Sequence, residues 1–302
     1  MVELNLKNIY KNTLKSIEDI RVLGADSDIL FIALPHGHAM KIAKALEGMP
    51  VRIIDLGADY RFVNTSTYEK WYHVQHIDPC ADRVYGLSEL YRTQIKSARI
   101  VGNAGCYTTA SILALAPLVK DRLVTLDSII VDAASGVSGA GRSPKESTHF
   151  PEFYDSFTAY GAVHHRHTPE IEQALSEQAR EPVVINFTPH LAPISRGILA
   201  TCYAQLCEDT ASEQVDASFE QWYANEFFIR LLGRGAYPCT KYVRGSNYCD
   251  IAWHVDPRTR RVIVFSAIDN LVKGAAGQAI QNMNIMLGMD ECTGLDLIPM
   301  YP

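Results

Sequence analysis

The sequence predicts an α/β protein: an incomplete Rossmann-like domain built on a parallel sheet, joined to an α+β catalytic domain with a mixed sheet. Short continuous apolar runs alternate with helical segments through the first hundred residues, the pattern of a parallel sheet buried on both faces. Beyond residue 106 the strands lengthen and alternate in character, as half-covered strands do. A chain of 302 residues with 47% hydrophobic content is long enough for two domains with cores of their own.

The run from Asp28 to Pro35, closed by His36 and Gly37, reads as a buried parallel strand, and a helix is expected over His38–Glu47. Val51–Leu56 repeats the strand pattern and Ile95–Val101 leads to a third, so right-handed crossovers should join them. Thr109–Val119, rich in Ala and Leu, predicts a buried helix. Further strands are expected at Ser128–Ala133, Val183–Phe187, Gly197–Leu206 and Arg261–Ser266, with helices at Pro169–Glu177 and Ala211–Phe228. Asn270–Met286 reads as one long helix of small residues, suited to close packing between domains. The expected division is 1–106 with 270–302 as a partial dinucleotide-binding domain, and 107–269 as a catalytic and dimerisation domain.

A net charge of −6 with scattered Lys and Arg leaves no basic footprint for nucleic acid. The seven cysteines form no C-x-x-C pair and no zinc-ligand spacing, which fits reduced thiols, no metal and a cytoplasmic location. No apolar run approaches the roughly 18 residues of a membrane helix, and the amino terminus, with Glu3, Lys7 and Lys11, lacks a signal-peptide core.

The chemistry concentrates at Gly102-Asn103-Ala104-Gly105-Cys106-Tyr107-Thr108-Thr109, where a strand turns into a helix. A thiol at the first helical turn meets free backbone N–H groups and the positive end of the dipole, which favours thiolate and can hold an oxyanion. Cys106 as a small buried hydrophobe is the competing reading, and the glycine-framed turn favours the nucleophile. A proton partner is available in His164-His165-Arg166-His167-Thr168-Pro169-Glu170, although the same residues read as a helix start with Thr168 as N-cap and Pro169 in the first turn. The loop Ser135–Arg142 offers backbone N–H groups for a phosphate or a cofactor amide, or is an ordinary turn. Arg142, Arg166 and Arg196 are each able to grip a carboxylate or phosphate with a bidentate fork.

Taken in order, Ala33–Gly37, Asp55–Arg61, Tyr68–Tyr72, Val84–Leu90, the Cys106 turn, Ser135–Arg142, His165–Ile171, Phe187–Leu191, Arg196–Leu199 and Asp269–Ala276 make the chain similar to the N-acetyl-gamma-glutamyl-phosphate reductases, in the aspartate-semialdehyde dehydrogenase-like superfamily. The resemblance implies that Cys106 attacks the acyl phosphate of N-acetyl-glutamyl phosphate and forms a thioester, which NADPH reduces to the semialdehyde. It further implies a histidine relaying protons, His165 first and His167 second, with Asn103, Arg166 and Arg196 holding substrate. Cofactor contacts would come from Pro35, His36, Ser138, Gly139 and Asn270. The resemblance also implies a small-molecule substrate, while small-residue helices and exposed sheet surface point to a homo-oligomer, and charge and hydropathy to neither nucleic acid nor membrane as partner.

Two departures shape the expectations. The family motif usually carries proline where Ala104 and Thr108 stand. The glycine-rich strand–turn–helix that seats a dinucleotide pyrophosphate has no counterpart ahead of Asp28, so an exposed sheet edge is expected. A misplaced start, a natural truncation or a chain that no longer uses the cofactor would each produce this. A non-catalytic remnant or regulatory subunit is therefore carried as the alternative to a reductase, with a cysteine–histidine hydrolase or acyltransferase as the third reading.

Overall fold

The computed structural model describes Ser16, residues 19–141 and residues 143–300; Glu3, Lys7, Lys11 and Arg142 lie outside the described residues. Four short strands, β1 (Ile29–Ile32), β2 (Arg52–Asp55), β3 (Arg83–Gly86) and β4 (Ile100–Asn103), form an all-parallel sheet in the order β1-β2-β4-β3. Helices α1 (Ile20–Ala25), α2 (Ala39–Ala45), α3 (Thr65–Tyr72) and α4 (Ser88–Ser97) alternate with them. β4 is buried along its length, as a central strand covered on both faces must be. Among the described residues β1 lies at the edge of this sheet, where Phe31 is 44% exposed and Leu34, just past the strand, 37%.

The third strand differs from its expected place. Ile95 is the buried face of α4 rather than the start of a strand, because the apolar spacing of Tyr91 and Ile95 is helical. The strand then begins at Ile100.

After α5 (Cys106–Lys120) the chain builds β5 (Ile130–Gly136), a short turn of helix α6 (Phe150–Phe153), β6 (Thr158–Ala159), α7 (Thr168–Ala179), β7 (Asn186–Ala192), β8 (Ile198–Gln205), α8 (Ser212–Tyr223), β9 (Ile229–Arg234), β10 (Cys249–Asp256) and β11 (Arg261–Ile268). Its seven strands run β6-β7-β5-β8-β11-β10-β9. The β5/β7 and β9/β10 pairs are parallel and the others antiparallel, so the sheet is mixed. Strict alternation along β8 buries Ile198, Ala200, Cys202 and Ala204 beneath the helices and leaves Leu199, Thr201 and Tyr203 half-exposed on the far face, beside Ile263 and Phe265.

Helix α5 joins the two halves. From Tyr107 to Val119 every residue is buried, and the helix packs on β8, β11, α7 and α8. The carboxy-terminal segment departs from a single helix: Val272–Ala276 is a π-turn, followed by α9 (Gly277–Leu287). Its wide turn shows in the Gly274 N–H to Asp269 O and Ala276 N–H to Leu271 O bonds, both 3.0 Å and both spanning five residues. Likewise α8 stops at Tyr223 instead of reaching Phe228, which turns into the core just ahead of β9.

Candidate active site

β4 delivers the chain to Asn103, Ala104 and Gly105 turn it, and Cys106 opens α5. A buried carboxylate grips this turn. Glu170, on the first turn of α7 and fully buried, accepts the Gly105 N–H at 2.8 Å and the Tyr85 hydroxyl at 2.7 Å on Oε1, and pairs through Oε2 with Arg61 at 3.2 Å. Thr108, where the resemblance leads to the expectation of proline, shares its proton between Gly105 O at 2.7 Å and Glu170 Oε1 at 2.9 Å. Arg61 is itself fixed by Nε donating to Asn103 O at 2.8 Å and a terminal N–H donating to Leu56 O at 3.2 Å.

His167 closes against this turn. A Cβ built on Gly105 would lie 2.5 Å from His167 Nε2 and 2.9 Å from an Arg61 nitrogen, so the imidazole rests on a bare backbone next to Cys106. Gly105 has φ −71°, which any residue adopts, so its requirement is purely steric. Replacing it with alanine should therefore displace His167 and, on the proton-relay role proposed for it below, lower kcat by about 10²-fold, the usual cost of misplacing a reacting group by an ångström. Steady-state kinetics beside a thermal melt checks this, since the backbone itself is unstrained.

Cys106, His167, Arg61, Ser138, Gly139 and Asn270 line one cleft of about 240 Å³, with Leu56, Asn103 and Gly274 among the other walls. Of the expected site residues, Cys106, His167, Asn103, Ser138, Gly139 and Asn270 are thus brought together. His165 stands behind the wall: its ring centre is 4.8 Å from that of His167, it packs edge-on to Tyr107, and its Nδ1 accepts the His167 backbone N–H at 3.2 Å. Pro35 and His36 sit at the carboxyl end of β1 outside this cleft, His36 edge-on to Tyr72 with ring centres 4.7 Å apart. Arg166 is exposed and lies over the same Tyr72 ring at 5.1 Å. Arg196 is ion-paired with Asp269 at 3.2 Å. The Asn103 side chain is committed, donating to Ala275 O at 3.1 Å and accepting from Asn282 at 2.9 Å. Asn270 ties two loops together, donating to Ser138 Oγ at 3.0 Å and accepting the Gly197 N–H at 2.7 Å.

Electrostatics set the resting protonation. Burial pushes the Cys106 thiol up to about 11, outweighing the Tyr107 N–H and the Arg61 charge that pull it down. The thiolate expected from the helix terminus is therefore not the resting form. Burial holds His167 well below 6.5, with His165, Arg61, Arg166 and His36 acting in the same direction, and burial with Arg166 lowers His165 to about 4. Thiol and imidazole rest as a neutral pair under two nearby guanidinium groups.

Arg61, Glu170, Tyr85 and Thr108 escaped the sequence reading as site residues. Glu170 stood in the expected helix start without a role of its own, and the N-cap of α7 falls at His167 rather than Thr168, whose hydroxyl has no partner. Among the described residues no cluster of His, Cys, Asp and Glu is arranged to hold a metal ion, and no helix is long and apolar enough to cross a membrane.

Two family models match the chain: the semialdehyde dehydrogenase NAD binding domain over residues 2–98 and the semialdehyde dehydrogenase dimerisation domain over residues 106–270. Among curated relatives, the chain is 52% identical to the N-acetyl-gamma-glutamyl-phosphate reductase of Desulforamulus reducens, over 99% of this chain and 86% of that one. It is 54% identical to that of Symbiobacterium thermophilum, over 92% and 81%. In fold it is similar to aspartate semialdehyde dehydrogenase II from Vibrio cholerae, with TM-score 0.67 and 18% identity over 88% of this chain and 81% of that one. The aspartate semialdehyde dehydrogenase from Francisella tularensis gives 0.68 and 16% over 91% and 85%.

Proposed function

Because the chain belongs to the N-acetyl-gamma-glutamyl-phosphate reductase family of the semialdehyde dehydrogenases, we propose that it reduces N-acetyl-glutamyl phosphate to N-acetylglutamate semialdehyde through a thioester on Cys106. The carrying observation is the shared cleft, in which a thiol, a neutral imidazole and a guanidinium meet. His167 accepts the Cys106 proton as sulfur attacks the acyl carbon, and returns it to the departing phosphate. The backbone N–H groups at the start of α5 face the oxyanion, and Arg61, with Arg166 nearby, offsets the phosphate charge. His167 replaces His165 as the preferred relay, because it lines the cleft while His165 orients it from behind.

The cleft also fits a nicotinamide. It opens beside Leu56, just past the carboxyl end of β2, where open α/β sheets bind their ligands, and Gly139 and Gly274 leave its walls without side chains. Ser138, Gly139 and Asn270 would hold the group, taken as NADP(H) from the family resemblance. When bound it supplies the hydride. The half-exposed face of the seven-stranded sheet, with Leu199, Tyr203, Ile263 and Phe265, is the surface proposed for a homodimer, and the cytoplasm is the proposed location.

The test is phosphate-dependent oxidation of N-acetylglutamate semialdehyde followed at the absorbance of NADPH, alongside calorimetric titration of NADPH. Turnover with saturable binding supports the reductase; a folded chain showing neither is better described as a non-catalytic remnant.

His167→Gln should lower kcat by about 10²–10⁴-fold. It should also change acid stability. A histidine whose folded pKa lies below its unfolded value near 6.5 contributes stability above that pH and loses it as pH falls toward the folded value. Melting temperature from pH 7 to pH 5 should therefore fall less steeply in the variant than in the parent protein.

A further inference from the structure

We infer that Lys273 is a positioning residue for Cys106, acting through the π-turn it belongs to. Lys273 is fully buried, and its Nζ donates to Glu89 on α4 and to Gln281 Oε1 on α9. The pair straddles the junction between the parallel-sheet half and the carboxy-terminal segment. Gln281 Nε2 extends the network to Glu291 at 3.0 Å, and Glu291 and Glu226 both pair with Arg92, one turn along α4 from Glu89. Lys273 is thus the inner end of a chain of charges that reaches the surface.

The next residue touches the nucleophile. A Cβ built on Gly274 would lie 2.8 Å from Cys106 Cβ and 3.1 Å from its Cα, so the Gly274 backbone forms the wall on which the Cys106 side chain rests. Ala275 O then accepts the Asn103 amide, tying the same turn to the end of β4. A π-turn leaves its backbone wide and its hydrogen bonds long-ranged, so its shape depends on what anchors it. Lys273 is that anchor. The ion pair leaves Glu89 Oε2 without a partner, so it is not arranged for greatest stability.

The inference rests on the thioester reading above, and its test includes a readout independent of reductase activity. Replacing both charges, Lys273→Met with Glu89→Met, removes the pair without leaving a buried lone charge, and Gln281 keeps Asn247 and Glu291 as partners. The folded double variant should lose at least about tenfold in kcat with KM within threefold, because no substrate contact changes. Iodoacetamide labelling of Cys106, located by peptide mass, should become faster and its pH midpoint should fall toward that of a free thiol, near 8.5. Parental kcat and labelling in the folded double variant overturn the proposal. Should the double variant not fold, Lys273→Arg, which keeps the charge beside Glu89 but changes the length of the anchor, takes its place; a lowered kcat with faster labelling of Cys106 supports the inference, and parental kcat and labelling overturn it.

Discussion

Cys106→Ala should retain the fold and lose the reaction. The substitution removes one sulfur from a half-buried position, whereas α5 owes its place to the thirteen buried residues that follow. Its melting temperature should stay within a few degrees of the parent, and NADPH consumption with the acyl phosphate should fall by at least about 10⁴-fold, the scale on which losing a covalent nucleophile is felt. Cys106→Ser should fail almost equally, since His167, held well below its ordinary pKa, is too weak a base for an alcohol. Substrate added without cofactor should leave the mass of an N-acetylglutamyl group on the parent protein and none on Cys106→Ala. Residual turnover near the parental rate in the alanine variant would sink the thioester scheme.

Glu170→Ala should damage both stability and activity. Its carboxylate satisfies the Gly105 N–H, the Tyr85 hydroxyl and the Arg61 guanidinium, and all of these are buried. Removing it strands the Arg61 charge, a loss of about 3–5 kcal/mol for a broken buried pair. That corresponds to a melting temperature lower by on the order of 10 °C in a chain of this size. Glu177→Ala, which removes one partner of the Tyr91 hydroxyl while leaving it Gln178, provides the contrast and should shift stability by only about 1 kcal/mol. Equal melting temperatures for the two variants would show that the Glu170 hub is not what holds the turn.

Which parts of the molecule were legible follows from the range of the forces involved. β1, β2, α2 and α5 announce themselves because their apolar runs are local and uninterrupted. β3 offers only Val84 and Tyr85 before Gly86 and so was legible as a motif but not as a strand. The π-turn is invisible to periodicity, since Leu271 to Ala276 satisfies a helical pattern whichever residue its N–H groups reach. Cys106 stood out because two glycines frame it. The partnership of Arg61 with Glu170 spans 109 residues and leaves no local trace. His165 and His167 are equivalent by type, and only the close fit of one ring against Gly105 separates them.

Cys106, the proposed nucleophile, heads a helix that forms part of the core of the seven-stranded sheet while standing at the end of the four-stranded one. Amides within this buried helix should therefore be among the last to exchange with solvent, in the region that opens only when the whole molecule does. The geometry of the proposed thiol is thus inherited from global folding and not from a local loop. The price is evolutionary: a core substitution that loosens α5 anywhere along its length is transmitted to the position of a single sulfur atom, so packing and catalysis are selected together.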